Sequence, residues 1–161
     1  ERPFDDEGIP ATRNILVENG IAVGNLLNLE SASRLKLKPT GSASRNISGP
    51  PVPSTSVIEV KPGEYSYEEL ISNVKNGIIV DQLLGAGQGN KLGGDFKGNV
   101  LLGYRVKDGE ILGRIKNAMI SGNVFNCLNS LSWISKDSQW VYGSFNVPYI
   151  MCENVQLAVS S

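Results

Sequence analysis

Histidine is missing altogether from the 161 residues. Its absence removes histidine zinc sites, histidine general bases and every Ser/Cys–His–acid triad together. Cysteine is scarce: the chain has two, Cys127 and Cys152, and neither belongs to a CxxC or similar ligand pair. A metal site made within this chain is therefore not expected. The two are read as buried thiols of a reducing cytoplasm, with a disulfide between them as the alternative. Excess charge is lacking as well, since 15 Lys and Arg face 16 Asp and Glu for a net charge of −1. No basic surplus points to direct nucleic-acid binding, and no charge run points to a membrane surface. The apolar runs fall far below the roughly 20 residues of a membrane span. The chain starts Glu1-Arg2-Pro3-Phe4, with no signal-peptide pattern and no initiator methionine. It reads as a cytoplasmic piece of a longer protein.

What is abundant is glycine, and it is concentrated. The stretch Val80–Asn123 holds ten of the 18 glycines. An interior glycine costs roughly 0.5–1 kcal/mol against alanine in a strand or helix. Such a cluster belongs where glycine alone fits: positive φ, bulges, or close approach of another backbone. The stretch reads as a glycine-rich loop, a strand from Asn99 to Val106, a turn at Asp108-Gly109 and a return strand to Lys116. Val100, Leu102, Tyr104 and Val106 alternate onto one face, as do Ile111, Gly113 and Ile115 beyond the turn.

Taken in order, Phe4–Pro10 is acidic and turn-like. Arg13–Leu27 is a hairpin about Asn19-Gly20. Ser31–Leu37 is a short helical segment stopped by Pro39. Lys38–Ser56 is a Gly/Pro/Ser-rich connection with Arg45 at its centre, either a carboxylate grip or a solvated loop arginine. Val57–Val60 is a strand ended by Pro62-Gly63. Ser66 and Glu69 form a capping box, and Tyr67, Leu70, Ile71 and Val74 give one apolar helical stripe closed by Gly77. Ile78–Leu84 is a buried strand. Val124–Leu131 is a second weak helix. Val147–Met151 is a strand bearing edge-type Pro148, and Val155, Leu157 and Val159 make a last one. Val17–Gly24 echoes Val106–Gly113 at equal offsets, from duplication or from convergent hairpin chemistry. The expected fold is α+β in a single domain, 1–161, predominantly antiparallel β (a sandwich or open barrel-like), with two or three short helices.

Catalytic constellations are harder to find. Gly85-Ala86-Gly87-Gln88-Gly89 invites a phosphate loop, yet Asn90 stands where a dinucleotide fingerprint needs its third glycine. Lys91 is followed by Leu92 rather than Ser or Thr, and a strand, not a helix N-terminus, comes next. Asp81, Asp95 and Glu110 form no recognisable acid/base pair; such carboxylates usually cap turns or face water. Trp133, Trp140, Tyr142 and Tyr149 serve as core and rim packing, or as a sticky patch. No catalytic residue and no metal ligand is assigned.

The order of motifs resembles the C-terminal segment of the TldD/PmbA (TldE) family, proteins once called modulators of DNA gyrase and now regarded as a peptidase pair. The matching pieces are Phe4–Gly8, Ile15–Gly20, Lys38–Arg45, Lys61–Glu64 and Leu84–Gly87. They continue with Gly93–Phe96, Gly103-Tyr104, Val106–Ile111 and Ile120–Asn123. In the catalytic member of that family an upstream HExxxH helix binds zinc, and a cysteine in a glycine-bounded loop completes the site. That loop falls near Ser135–Gly143 here, which lacks cysteine, so no ligand carries over. Leu84–Gly87 with Gly94-Asp95 is closer to the PmbA/TldE pattern. The resemblance implies the C-terminal domain of a non-catalytic PmbA/TldE-like subunit of a cytoplasmic zinc metallopeptidase that degrades or trims unfolded peptides. Zinc is then expected only in the partner. Expected partners are a TldD-like catalytic subunit or a second copy of the same chain, the unfolded peptide, and, as a further candidate, DNA gyrase. A non-enzymatic protein-binding module is the alternative, and a nucleotide-binding domain the third. Unfolded peptides share only their backbone, so contact residues are expected where backbone can come close. These are Gly85, Gly87, Gln88, Gly89 and Asn90, with Gly93 and Gly94 beside them.

Overall fold

The computed structural model describes residues 2–87, 89–131 and 133–159. The chain divides into two compact units, Glu1–Ile58 and Glu59–Ser161. Among the described residues antiparallel strands dominate, with three short helices, in line with the α+β expectation. No sheet among the described residues closes on itself.

In the first unit, β1 (Val17–Glu18) and β2 (Ile21–Ala22) form the expected hairpin. Asn19 and Gly20 take φ of 50° and 78°, the two positive values that a type I′ turn demands. Helix α1 (Leu29–Leu35) begins earlier than Ser31, because Asn28 is its N-cap. Asn28 Oδ1 accepts from the Ser31 N–H, and Ser31 Oγ accepts from the Asn28 N–H. The helix ends at Lys36 in a left-handed conformation, so Pro39 plays no part in stopping it. The connection expected from Lys38 to Ser56 is partly ordered into β3 (Ala43–Ser44) and β4 (Val52–Pro53), which pair with each other.

The acidic turn ties this unit together. Asp5 is only 7% exposed. Its Oδ1 accepts from the Glu7 and Ile9 N–H groups and its Oδ2 from Ala43, each at 2.9 Å. Asp6 Oδ2 accepts from the Arg45 N–H at 2.8 Å, and Glu7 Oε2 from the Leu29 N–H at 2.7 Å. Three consecutive acids thus hold the loops of the unit by their main chains. Burial alone would raise the Asp5 pKa, but the bonds from Ala43, Ile9 and Glu7 outweigh it and hold it below the ordinary value.

In the second unit α2 (Tyr67–Ser72) carries the expected capping box between Ser66 and Glu69. It stops at Asn73, short of Val74, and Gly77 is no helix cap. Gly77 belongs instead to β6 (Asn76–Leu84), opposite Val106. The 13-residue β7 (Asp95–Lys107) is the central strand. It pairs with β6 along one edge. Along the other it pairs with β9 (Ala118–Asn123) and then with β8 (Glu110–Arg114). Strand β12 (Gln156–Val159) adds to β9. Val100 and Val106 are buried and Leu102 and Tyr104 half-buried, as the alternation predicts. Val100, Ala118 and Ile120 form the core cluster, flanked by Ile78, Val80, Phe96, Ile115 and Val155. A valine or isoleucine such as Val100 or Ile120 contributes about 1.5–3 kcal/mol when fully buried. Strand β8 departs from expectation: its alternation buries nothing, and Ile111 and Leu112 are exposed. Strand β6 likewise is exposed from Asp81 to Leu84.

A second sheet contains β10 (Trp133–Val141), β11 (Phe145–Met151) and, at the boundary of the units, β5 (Ile58–Glu59). Pro148 is not at an edge. It is buried in the middle strand, beside a register shift between Ile134 and Ser138, the irregularity that tolerates a residue without an N–H. Helix α3 (Val124–Asn129) follows β9 directly and ends before Leu131.

Replacing Asp5 by alanine leaves three main-chain donors without their acceptor and should cost on the order of 2–3 kcal/mol, read as a lower denaturation midpoint. The folded pKa lies below the ordinary 3.8, so the stabilisation is complete above that value and is lost as pH falls through the folded one. An acid titration of stability should therefore be shallower for Asp5→Ala than for the native chain.

Candidate functional site

The glycine-rich loop links edge strand β6 to central strand β7. Gly85 opens it, Leu92 stands at its tip 96% exposed, and Gly93-Gly94 leads into Asp95. Asn90 closes the turn, its Oδ1 accepting from the Gly93 N–H at 3.1 Å and its carbonyl from the Asp95 N–H at 3.1 Å. The loop therefore brings Gly85, Gly87, Gly89, Asn90, Gly93 and Gly94 together. Gln88 lies outside the described residues.

The glycines are not equivalent. Gly89 has a φ of 155°, and a Cβ there would lie 2.7 Å from the Asp95 carbonyl oxygen. Gly94 has a φ of 80°, with the Phe125 ring 2.5 Å from where its Cβ would stand. These two are demanded by the domain itself. At Gly87 a Cβ would meet only the flexible end of Lys91, at 3.7 Å. Gly87 also forms an isolated parallel bridge with Lys97, which brings the loop's own backbone alongside the start of β7.

One side chain, not singled out by sequence reasoning, fixes the loop. Asn123 Oδ1 accepts from the Phe125 and Asn126 N–H groups and so caps α3. Its Nδ2 donates to the Gly93 carbonyl at 2.6 Å and to the Asp95 carboxylate at 2.9 Å. The Val124 N–H donates to the Gly94 carbonyl at 2.8 Å. A signal was present: an Asn ending Ile120–Asn123 immediately before an apolar helical pattern is an N-cap pattern.

Other expected features disperse. The Asp95 carboxylate serves the Asn123 clamp rather than a proton transfer. The segment Ser135–Gly143, expected as a loop, is most of β10, turning at Tyr142-Gly143. Ser135 is fully buried. Its Oγ donates to the Asp137 carbonyl at 2.7 Å and accepts from the Tyr149 N–H at 2.8 Å. Trp133 packs at a tilt against Tyr65 and Tyr149 against Tyr67, with ring centroids 4.2 and 4.6 Å apart, while Trp140 and Tyr142 are exposed. The four aromatics thus divide between packing and open surface. Arg45 is an exposed loop residue beside Asp6. Among the described residues no three His, Cys, Asp or Glu side chains converge.

The fold is that of an α+β domain dominated by antiparallel strands. The chain belongs to the PmbA/TldA metallopeptidase C-terminal domain family, whose model matches residues 1–159. A metalloprotease of Methanothermobacter thermautotrophicus is 35% identical over 134 residues, which is 83% of this chain and 29% of that protein. TldE from Thermococcus kodakarensis superposes with a TM-score of 0.86 at 30% identity, covering 98% of this chain and 36% of that one. A candidate modulator of a DNA gyrase from Thermotoga maritima superposes with a TM-score of 0.83 at 31% identity, covering 98% and 35%. The chain thus spans less than a third of the length of the curated relatives it matches.

Asn123 offers a clean dissection. Asn123→Asp keeps the acceptor that caps α3 but cannot donate to Gly93 and sets a second carboxylate beside Asp95. Amide exchange at Gly94 and Asp95 should accelerate while that of α3 stays near native. Asn123→Ala loses cap and clamp together and should cost about 1–2 kcal/mol. Unchanged exchange at Gly94 and Asp95 in Asn123→Asp would remove the clamp from the account.

Proposed function

We propose that this chain is the C-terminal domain of a PmbA/TldE-like subunit that works in the cytoplasm beside a zinc-bearing, TldD-like metallopeptidase subunit. In this reading the zinc and the bond-breaking groups belong to the partner, since the Ser135–Gly143 segment has no cysteine with which to complete a zinc site. This chain supplies main chain. An extended, unfolded peptide has no common side chain to grip, but its backbone N–H and C=O groups can add to a sheet edge. The observation that carries the reading is the end of β6. The strand terminates its sheet, is exposed from Asp81 to Leu84, and runs into a loop where a Cβ added at Gly87 would meet only the end of Lys91. The TldE likeness covers 98% of this chain and a relative named metalloprotease reaches 35% identity, so the non-catalytic assignment rests on the cysteine-free Ser135–Gly143 segment. Among the described residues no helix is long and apolar enough to cross a membrane.

Gly87 and Gly89 separate contact from construction. In the full-length subunit, Gly87→Val should keep its melting temperature yet lose assembly with the catalytic subunit or peptide cleavage by the complex. Gly89→Val should lower the melting temperature, because its Cβ meets the Asp95 carbonyl at positive φ. A folded Gly87→Val subunit with full assembly and full cleavage would overturn the proposal. Retained gyrase binding with no peptidase partner would favour the binding-module alternative instead.

A further inference from the structure

A strand edge left open in a sheet invites pairing with another chain, and charges, bulges and covering segments normally block it. In the second unit β6 carries Asp81, which a symmetric pairing would bring close to its own copy. Strand β8 has Glu110 and Arg114 at its ends and a register shift where it meets β7. Strand β10 holds Lys136 and Asp137, and its Ser135 and Lys136 bond to Gly63 and Tyr65 of a covering segment. Strand β12 has none of these devices. It ends its sheet, pairing with β9 from Gln156–Ser121 to Val159–Ala118 without a register shift. The run from Asn154 to Ser161 contains no charge and no proline. All four strand residues are exposed. Leu157 and Val159 stand opposite Ile120 and Ala118 of the core, so they lie on the core-facing side, yet they are 44% and 54% exposed.

We propose that the outer edge of β12 pairs with the same edge of a second copy of this chain, antiparallel and about a two-fold axis perpendicular to the sheet. Such an axis keeps the core-facing sides of the two copies together. Leu157 and Val159 of each copy then gain apolar cross-strand neighbours in the other and are withdrawn from water. Centred on the strand, the axis passes at Leu157 or Ala158. Ala158, opposite Met119 and so on the other face, is small enough to meet its own copy without a clash. The edge offers main chain and uncharged side chains, and a second copy offers the same in return, with no like charges to oppose it. An edge of four residues buries little, which puts the contact in the weak, reversible class. It leaves β6 open and does not depend on what that strand binds.

The test is sedimentation of the full-length protein over a range of concentrations. Both cysteines are free thiols, and Cys152 is exposed where burial was expected of it, so the buffer is kept reducing to prevent a covalent link between copies. The expected result is a reversible monomer–dimer equilibrium, with amide exchange within Gln156–Val159 slowing as concentration rises. Ala158→Lys and Ala158→Glu place a charge on an exposed position of the outer face, so each should keep the native melting temperature. Each alone should weaken self-association by about tenfold or more, because like charges meet across the axis. An equal mixture of the two variants should restore it. A protein that stays monomeric throughout would overturn the proposal. So would a dimer that neither variant weakens, or a mixture that associates no better than either variant alone. Protection of β12 that ignores concentration would mean another part of the same chain covers the edge, and protection that appears only with the catalytic subunit would assign the edge to that subunit; either result also overturns it.

Discussion

Strand β7 is hydrogen-bonded along both edges, and that constraint places the other strands of its sheet. Side chains alternate between faces with a period of two, so a slip of one residue would turn Val100 and Val106 out of the core. With its register held by that burial, β7 positions β6 on one edge and β9 and β8 on the other. The free edge of β6, the glycine-rich loop and the start of α3 follow from it. The loop is a connection whose two ends are held by one pairing.

Each unit also relies on a polar side chain that collects main-chain groups from distant segments. Asp5 draws in Glu7, Ile9 and Ala43; Asn123 joins α3 to the loop before β7. A single hydrogen bond nets only about 1 kcal/mol, but losing a shared acceptor or donor leaves several groups unpaired at once. The acidic Phe4–Gly8 run and the Lys38–Arg45 run, far apart in sequence, meet through Asp5 to Ala43 and Asp6 to Arg45.

Local chemistry was legible and distant chemistry was not. The turns Asn19-Gly20 and Asp108-Gly109 and the Ser66–Glu69 box are contained within a few residues, and all three are present. Gly77 looked like a helix cap because spacing alone cannot reveal that Val106 lies opposite it. The β3–β4 pairing escaped notice because two-residue strands carry no periodicity. The exposure of β8 could not be read from its alternation, since alternation marks a face without showing what covers it. In the candidate site the cluster of glycines was visible from composition. Their division was not: Gly89 and Gly94 answer to Asp95 and Phe125, and only coordinates separate them from Gly87.

In the proposed role this domain meets its partners through main chain at the end of β6. Amide exchange of the full-length protein, alone and with an unfolded polypeptide or the catalytic subunit bound, tests it most directly. The account predicts new protection confined to those Asp81–Gly87 amides that do not bond β7, with β12 and the first unit unchanged. A complex that forms with no change in exchange across Asp81–Gly87 would contradict it.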